Sequence, residues 1–554
     1  MSNDSAPYDA VVIGAGISGI YALHQLREKG FRVVAIDAAP SVGGTWYWNN
    51  YPGARVDIES IEFSYSFDDD LQQDWTWSTR YAGQPELLRY LRHVVHRYDL
   101  ARDIRLNVRI VDASFNASTD TWTLSAEDGE NFVGRHVILA VGALSAPKVP
   151  AIAGLDQFEG DVLQTIRWPK QGYDMTGKRV GVVGTGATGV QIVTALAPTL
   201  GPDLFVFQRT APYVVPRHNS ALPAEFVDEV KANYAAWREA EQAHFGGFVA
   251  LDYKIGTSPT VPTMEASAEE RTAEFEMRWS SGGLAFYSGY FDLLLSEDAN
   301  AELAAFLQRK IRERVAGHPQ ESRLVPYQYL PLTRRLIVED GYFESYTQYG
   351  ATLVPLDRGE SFELVENGAL VNGELIELDT LVLATGFEGV TGAAAQIDIG
   401  GINGEKLRDA WRGGPATMLG YLVDGFPNMY LVNGAGCPGA LTQAFTLGEF
   451  QVDWIVDLLV HARVHDNTRL EASPAAQKAW TDHLAGVLNA TLFPRSASWY
   501  MGTNVEGRSA MAMLYLGGFP AYKRHSLEQR DTGYPDVVFD SDASTVRGDP
   551  AFSL

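Results

Sequence analysis

Cysteine is almost absent from this chain: Cys437 is the single one among 554 residues. One thiol cannot form an internal disulfide, a redox pair of cysteines or a cysteine-rich zinc site. The sequence therefore excludes a disulfide reductase, and we predict no metal site. A single thiol is compatible with a reducing compartment, and we expect the protein in the cytoplasm.

Positive charge and long apolar runs are scarce as well. Lys and Arg total 44 against 69 Asp and Glu, so the formal net charge is −25. An acidic surface repels nucleic acid phosphate and anionic lipid. No segment has the roughly 18 apolar residues that cross a membrane, and the first residues do not have the pattern of a secretory signal. We expect a soluble monomer or weak homodimer that binds neither nucleic acid nor a membrane.

Glycine is plentiful, and the loop Gly14-Ala-Gly-Ile-Ser-Gly19 has the form of a dinucleotide-binding turn. It follows a β-branched run, precedes a helix predicted from Ile20 to Lys29, and leads to a second strand that ends at Asp37. Its three glycines permit a tight turn, admit a pyrophosphate and let the helix pack on the strand. Because Asp37 can accept hydrogen bonds from a ribose diol and would repel a 2′-phosphate, this site suits FAD or NAD.

The loop Gly184-Thr-Gly-Ala-Thr-Gly189 repeats the design, with a helix predicted from Val190 to Leu200. The acid that would end the next strand is missing. Arg209 can pair there with a 2′-phosphate, and Thr210 adds a hydroxyl group, so the second site favours NADPH over NADH. Two sites of different preference indicate a flavoprotein that takes hydride from NADPH.

A third glycine-rich turn, 434–439, has no return strand with a ribose-binding residue. We interpret it as a turn that aims the N-terminus of a helix, predicted from about Leu441 to Val460, at an electron-rich group. A separate dinucleotide site is the alternative.

The whole pattern predicts an α/β protein with two Rossmann-like dinucleotide-binding domains, for FAD and NADP, and a helical insertion in the NADP domain. We place the first part of the FAD domain at 1–150 and that of the NADP domain at 151–219. The insertion spans 220–325. The NADP domain resumes at 326–378 and the FAD domain at 379–540, and a polar tail follows at 541–554.

A longer motif reads Gly43-Gly-Thr-Trp-Tyr-Trp-Asn-Asn-Tyr-Pro-Gly-Ala-Arg-Val-Asp57. It resembles the long fingerprint of type I Baeyer–Villiger monooxygenases at every defined position, and similarity to the family extends from Tyr8 to about Tyr522. The resemblance implies an enzyme that uses NADPH and O₂, through a C4a-peroxyflavin, to convert a ketone into an ester or lactone. It also implies thioether sulfoxidation as a side activity.

The same resemblance implies roles for individual residues. Arg335 is the expected catalytic cation that keeps the peroxide deprotonated, and Asp57 would orient its guanidinium. The turn 434–439 and the residues after it correspond to the substrate loop. The expected FAD contacts are Gly14, Gly16, Ser18, Gly19, Asp37, Thr45, Trp46, Tyr47, Trp48, Arg55, Asp57 and Ile110. The expected NADP contacts are Gly184, Thr185, Gly186, Ala187, Thr188, Gly189, Arg209, Thr210, Arg334, Arg335 and Trp499. The expected substrate contacts are Cys437, Gly439, Ala440, Leu441 and Ala444.

The chain departs from the family's second fingerprint at one position. The segment from Phe158 to Pro169 keeps the phenylalanine, glycine, tryptophan and proline, but Gln164 replaces the histidine. Glutamine can donate and accept hydrogen bonds, but it cannot become charged. We expect the replacement to alter any coupling between the domains that depends on pH. The alternative is that it arose by neutral sequence drift and has no functional meaning.

Two other functions stay open on the sequence alone. One is a flavin monooxygenase that oxygenates nitrogen or sulfur through a protonated peroxide, and the other is a flavin-bound redox sensor that is not an enzyme. The pair of Asp57 and Arg335 favours the Baeyer–Villiger reaction over the first. Two intact cofactor sites and that catalytic pair argue against the second.

We predict that Gln164→His changes the coupling of NADPH oxidation to oxygenation, or its pH dependence, because it introduces a group that can become charged. The identity of the product should not change. Yields of ester and hydrogen peroxide at several pH values measure the effect, and a changed product regiochemistry would show that this residue has a different role.

Overall fold

Two sheets carry the two predicted glycine loops, each at the end of a strand. The computed structural model describes residues 6–148, 150–249, 258–356, 358–503 and 510–540, so the predicted tail at 541–554 lies outside the described residues. Both loops lead from a parallel strand into a helix, as predicted.

The first sheet has eight strands among the described residues. Tyr8–Ile13 lies near its centre, parallel to Val33–Asp37 on one side and to Asn131–Leu139 on the other. Val11 and Val12 are fully buried, because both faces of the central strand are covered. The other strands are Ile104–Leu106, Ile110–Asn116, Thr121–Ala126, Asp398–Gly400 and Met429–Leu431.

The second sheet is parallel throughout, in the order Thr352–Pro355, Leu204–Gln208, Val180–Val183, Thr380–Leu383 and Asp161–Gln164. Smaller sheets pair Phe362–Val365, Gly368–Val371 and Glu374–Glu377; Val214–Val215 and Ile337–Val338; and Leu470–Ala472 and Val537–Phe539.

The predicted return to the FAD domain at 379 is wrong. Thr380–Leu383 lies inside the second sheet, between Val180–Val183 and Asp161–Gln164. The chain pairs with the first sheet again at Asp398–Gly400. The sequence does not show to which of the two sheets this strand belongs, because buried parallel strands of either sheet have the same apolar, β-branched composition.

Both loop helices begin earlier than predicted. The first glycine-loop helix is Ile17–Glu28 and the second glycine-loop helix is Ala187–Leu200, because each starts directly after the middle glycine of its loop. The helix after the third turn, here the substrate-loop helix, is Ala444–Val464 and follows a short 3₁₀ turn at Gly439–Leu441.

The remaining α-helices of the described residues include five within the predicted insertion. Among the described residues, no helix has the length and apolar character needed to span a membrane. The helices are Thr45–Trp48, Asp69–Asp74, Gln84–Arg97, Ala224–Ala232, Tyr234–Ala243, Ala268–Ser281, Glu297–Val315, Glu321–Leu324, Tyr342–Thr347, Gly392–Ala395, Leu407–Ala410, Pro474–Asn489 and Phe519–Asp531.

Two acids of the substrate-loop helix lie near the first glycine-loop helix, and Glu449 is the buried one of the two. Glu449 is 6% exposed and accepts hydrogen bonds from Ser66 N at 2.8 Å and from Ser66 Oγ at 2.6 Å. Asp453 accepts one from the Tyr21 hydroxyl at 2.7 Å. Burial raises the pKa of Glu449 to about 7.

We predict that Glu449→Gln flattens the pH dependence of stability between about pH 5 and pH 7. In that range the folded protein holds a proton on Glu449 that the unfolded chain has released, so this group's contribution to stability falls as pH rises. Each unit of pKa difference corresponds to about 1.4 kcal/mol. Thermal unfolding of the wild type and the variant at the two ends of the range measures the change.

The matched control is Asp482→Asn, which removes an exposed carboxylate that pairs with Lys478. It should keep the wild-type slope. A wild-type slope in Glu449→Gln would mean that the pKa of Glu449 is not raised.

Candidate active site

The first glycine loop fits a pyrophosphate through its backbone. Gly14 has a φ of +110°, and a Cβ there would lie 2.3 Å from the Ala140 carbonyl oxygen. A Cβ on Gly19 would lie 1.9 Å from the Gly14 carbonyl oxygen, so helix and strand can approach only without a side chain. The helix begins after Gly16 without a side-chain cap, and its first N–H groups can therefore bind an anion.

Asp37 stands beside this loop at the end of its strand. Its Oδ2 accepts a hydrogen bond from Ala15 N at 2.7 Å, and its Oδ1 accepts one from Ala39 N at 2.8 Å. Burial raises the pKa of Asp37, and the two hydrogen bonds oppose that rise. The carboxylate thus holds the loop in shape while it faces a cavity, where it can also accept hydrogen bonds from a ribose.

The cavity has a volume of about 610 Å³ and runs from Asp37 to the third glycine-rich turn. Most predicted FAD contacts and three predicted substrate contacts lie on its wall. These residues are Gly14, Gly16, Ser18, Asp37, Thr45, Trp46, Trp48, Ile110, Gly439, Ala440 and Ala444. Tyr47 is not on the wall, and Nζ of Lys170 lies 4.3 Å from its ring centroid.

Two residues of the wall carry buried polar atoms with no hydrogen-bond partner among the described residues. They are Thr442, through Oγ1, and Gln164, through Oε1. A flavin ring presents carbonyl oxygens and N–H groups that such atoms can bind. The glycine loop, the cavity and these two atoms together fit a bound FAD.

The long fingerprint packs against the second glycine-loop helix. A Cβ on Gly53 would lie 2.6 Å from the Gln191 carbonyl oxygen. The Tyr51 hydroxyl donates to Gln191 Oε1 at 2.9 Å, and Gln191 Nε2 donates to the Arg55 carbonyl at 3.2 Å. The motif therefore joins the two domains just before Asp57. The Arg55 side chain, a predicted FAD contact, is not on the cavity wall; burial and the charge of Arg217 lower its pKa.

Asp57 and Arg335 form an ion pair across the two domains. Arg335 Nε donates to Asp57 Oδ2 at 2.9 Å, and Arg335 Nη1 donates to the Ala440 carbonyl at 3.2 Å. Burial opposes both charges, but their mutual attraction outweighs it. The pKa of Asp57 therefore lies below its ordinary value and the pKa of Arg335 above its own. The pair stays charged at physiological pH, next to a residue of the cavity wall.

A second ion pair supports the strand that follows Arg335. Ile337–Val338 pairs with Val214–Val215, and Arg217 Nη1 donates to Glu339 Oε1 at 2.9 Å with both side chains buried. Asp340 accepts hydrogen bonds from the backbone N–H groups of 217–219. Arg335 is therefore held by a rigid support.

The second glycine loop repeats the geometry of the first. A Cβ on Gly184 would lie 2.5 Å from the Ala384 carbonyl oxygen, and one on Gly189 would lie 2.0 Å from the Gly184 carbonyl oxygen. Among the described residues, and apart from its chain neighbours, no atom lies within 4 Å of a Cβ built on Gly186, so this side of the loop can accept a ligand. Thr185 Oγ1 donates to the Thr210 carbonyl at 2.8 Å, and Ala187 and Thr188 open the helix.

Arg209 and Arg334 come together beside this second loop. Arg209 is exposed, and burial together with the charge of Arg209 lowers the pKa of Arg334. The Arg334 guanidinium lies 4.4 Å from the Tyr329 ring centroid, and its buried Nε has no partner among the described residues. Two neighbouring cations with an unused donor fit an anion such as a 2′-phosphate.

Trp499 lies at the junction between the domains. A Cβ on Gly389 would come within 2.8 Å of Trp499 Cε3, and Gly389 belongs to the segment that leaves the second sheet. The segment from Leu492 to Gly507, which contains Trp499, is also similar to the family in sequence, and its residues Asn504 and Gly507 lie outside the described residues.

Two predicted substrate contacts do not reach the cavity. Cys437 is fully buried and its Sγ donates to the Gly434 carbonyl at 3.1 Å, while burial raises the pKa of its thiol to about 12. Leu441 packs with the apolar cluster around Trp499. Thr442, which lines the cavity, was not among the predicted substrate contacts. Its hydroxyl stands among small apolar residues of the loop and could have indicated a contact with a ligand.

Residues 8–233 match the family model described as pyridine nucleotide-disulphide oxidoreductase. A phenazine N-monooxygenase of Lysobacter antibioticus is 38% identical over 551 residues, which are 99% of each chain. A Baeyer–Villiger monooxygenase of Pseudooceanicola batsensis is 36% identical over 546 residues, which are 98% of each chain.

The solved structures include a close match to the whole fold. Cyclohexanone monooxygenase from Rhodococcus sp. Phi1, bound to NADP⁺, has a TM-score of 0.91 and 38% identity, and the match covers 96% of this chain and 99% of that chain. The predicted fold, with two dinucleotide-binding domains, is therefore confirmed.

We predict that Arg209→Gln weakens the use of NADPH and leaves the use of NADH unchanged, because only NADPH carries the 2′-phosphate. Loss of one charge-assisted contact should raise the KM for NADPH about tenfold. Steady-state rates with NADPH and with NADH give the two KM values. Arg412→Gln, which replaces an exposed arginine, is the control. An equal change in both KM values would contradict this role.

Proposed function

Because the chain belongs to the Baeyer–Villiger monooxygenases, a family of flavin-dependent oxidoreductases, we propose that it uses FAD, NADPH and O₂ to insert oxygen next to a ketone carbonyl. The product is an ester or a lactone. The observation that carries this proposal is the ion pair of Arg335 and Asp57 beside the cavity wall. FAD is assigned to the first domain and NADPH to the second.

Arg335 supplies a fixed positive charge. When bound, the reduced flavin supplies an activated oxygen formed from O₂. A guanidinium cannot lose its proton at physiological pH, so it can stabilise negative charge on that oxygen and on the tetrahedral oxyanion of the substrate. Asp57 holds Nε, and the Ala440 carbonyl holds Nη1, so the plane of the guanidinium is set before substrate binds.

The cofactor sites support the same reaction. The glycine loop, Asp37 and Ile110 would hold the nucleotide part of FAD along the cavity. Arg209 and Arg334 would hold the 2′-phosphate of NADPH. Trp499, at the domain junction, would cover NADP and exclude water from the reacting centre.

The substrate is proposed to enter beside the third glycine-rich turn. Gly439, Ala440 and Ala444 have small side chains, and Thr442 adds one hydroxyl to this part of the wall. This combination favours a mainly apolar ketone with room around the carbonyl group. Thioether sulfoxidation is proposed as a side activity, since a soft, nucleophilic sulfur atom can take the activated oxygen when that oxygen is protonated.

Oxygenation of a ring nitrogen is a second candidate. It is favoured by the 38% identity to a phenazine N-monooxygenase over 99% of each chain. The Asp57 and Arg335 pair keeps the ketone reaction as the first candidate, because it stabilises an anionic oxygen and N-oxygenation uses a protonated one.

The holoenzyme should consume NADPH faster when a ketone is added and should form ester or lactone. Cyclic and linear ketones, a thioether and phenazine form the substrate panel, with product analysis by gas chromatography. Hydrogen peroxide as the sole product in every case would contradict the proposal, and N-oxide without ester would favour the second candidate.

We predict that Arg335→Ala still allows reduction of the flavin by NADPH but lowers ester formation by at least about 10²-fold, as for the loss of one oxyanion donor. Stopped-flow bleaching of the flavin and single-turnover product yield separate the two steps. Arg412→Ala, an exposed arginine paired with Asp409, should behave as the wild type. Ester formation at the normal rate in Arg335→Ala would show that Arg335 is not the catalytic cation.

A further inference from the structure

One arginine of the helical insertion, Arg238, reaches the first domain. It lies on the helix Tyr234–Ala243, and its guanidinium is bonded on all sides. Nε donates to Gln72 Oε1 at 2.9 Å, and Nη2 donates to Ser64 Oγ at 2.8 Å. Nη1 donates to the Glu62 carbonyl at 3.1 Å and to Glu241 Oε2 at 3.0 Å. Arg238 therefore fixes the backbone of the first domain at Glu62.

The Glu62 carbonyl also binds the substrate loop. Gln443, which is fully buried, donates to it from Nε2 at 2.6 Å. Gln443 Oε1 accepts hydrogen bonds from Phe445 N and, at 3.2 Å, from Thr446 N. One carbonyl oxygen thus links Arg238 to the cap of the substrate-loop helix.

The capped turn forms part of the cavity wall. Thr442 and Ala444 stand on either side of Gln443, and both line the cavity. The insertion also contacts this turn directly, since the Gly246 carbonyl accepts a hydrogen bond from Gln443 N at 2.9 Å. Val249 N donates to Glu62 Oε2 at 2.7 Å, so Glu62 is held by the insertion at both its carbonyl and its carboxylate.

We propose that Arg238 is a positioning residue for substrate binding, which acts through the Glu62 carbonyl and Gln443 to hold the first turn of the substrate-loop helix at the cavity wall. It does not touch the cavity itself. The role requires arginine, because a planar guanidinium can hold four separate acceptors at once and an ammonium group cannot match that geometry. The inference rests on the proposed function for its kinetic readout.

The main test is Arg238→Met, with cyclohexanone as the probe substrate. We expect a rise of about tenfold in the KM for the ketone with kcat changed less than about threefold, because the ground-state site is displaced and the catalytic pair is retained. Arg238→Lys should raise the KM for the ketone less than Arg238→Met does, since it keeps a cation next to Glu241.

The matched control is Arg278→Met. Arg278 is a fully buried arginine of the same insertion whose Nε donates to Glu274 Oε1 at 2.7 Å, and it does not line the cavity. Its replacement should lower the melting temperature and leave the KM unchanged. A lower melting temperature with an unchanged KM in Arg238→Met, or an equal rise in KM in both variants, would overturn the proposal.

A double-mutant cycle tests the link through Glu62. Arg238→Met and Gln443→Ala should be non-additive in KM, because both act on one carbonyl, whereas Arg278→Met and Gln443→Ala should be additive. Additivity in both pairs would overturn the proposal.

The absorption spectrum of the bound flavin gives a readout that needs no product. Displacement of the turn should shift this spectrum in Arg238→Met and not in Arg278→Met. If the wild type forms no ester from any ketone, the proposed reaction is wrong. The flavin spectrum then remains as the test of whether Arg238 positions the turn. An unshifted spectrum would then overturn its positioning role.

Discussion

The ion pair between Arg335 and Asp57, with Nε and Oδ2 2.9 Å apart, connects the two dinucleotide-binding domains at the cavity. A half-buried cation without a partner would cost several kcal/mol, so the guanidinium can lie here only with its carboxylate. The carboxylate comes from the first domain and the guanidinium from the second. The geometry of the proposed catalytic pair therefore depends on how the two domains pack on each other.

Each member of the pair has its own support. Asp57 follows the fingerprint, in which Gly53 and Tyr51 pack against Gln191 of the second glycine-loop helix. Arg335 precedes the strand Ile337–Val338, which is held by the buried pair of Arg217 and Glu339. The insertion reaches the turn before the substrate-loop helix through the Glu62 carbonyl, which accepts hydrogen bonds from Arg238 and Gln443. Charges that are expensive to bury thus hold backbone segments in place next to the site.

The sequence predicted the parts of the fold that depend on local chemistry. Gly14 and Gly184 have positive φ angles, and their loops have a recognisable sequence pattern. The pairing of Asp57 with Arg335 was expected only from the family resemblance. The sequence did not predict the features that depend only on tertiary packing. Thr380–Leu383 joins the second sheet, Cys437 turns away from the cavity, and Arg238 lies in an ordinary amphipathic helix whose partners are far away in the sequence.

The most direct test of the central interaction is a double-mutant cycle of Asp57→Asn and Arg335→Met, measured as the rate of ester formation in a single turnover. If the pair acts as one unit, the two changes are strongly non-additive, and the double variant is about as slow as the slower single variant. If the two residues act independently, the effects multiply, and that result would contradict an active site built on this ion pair.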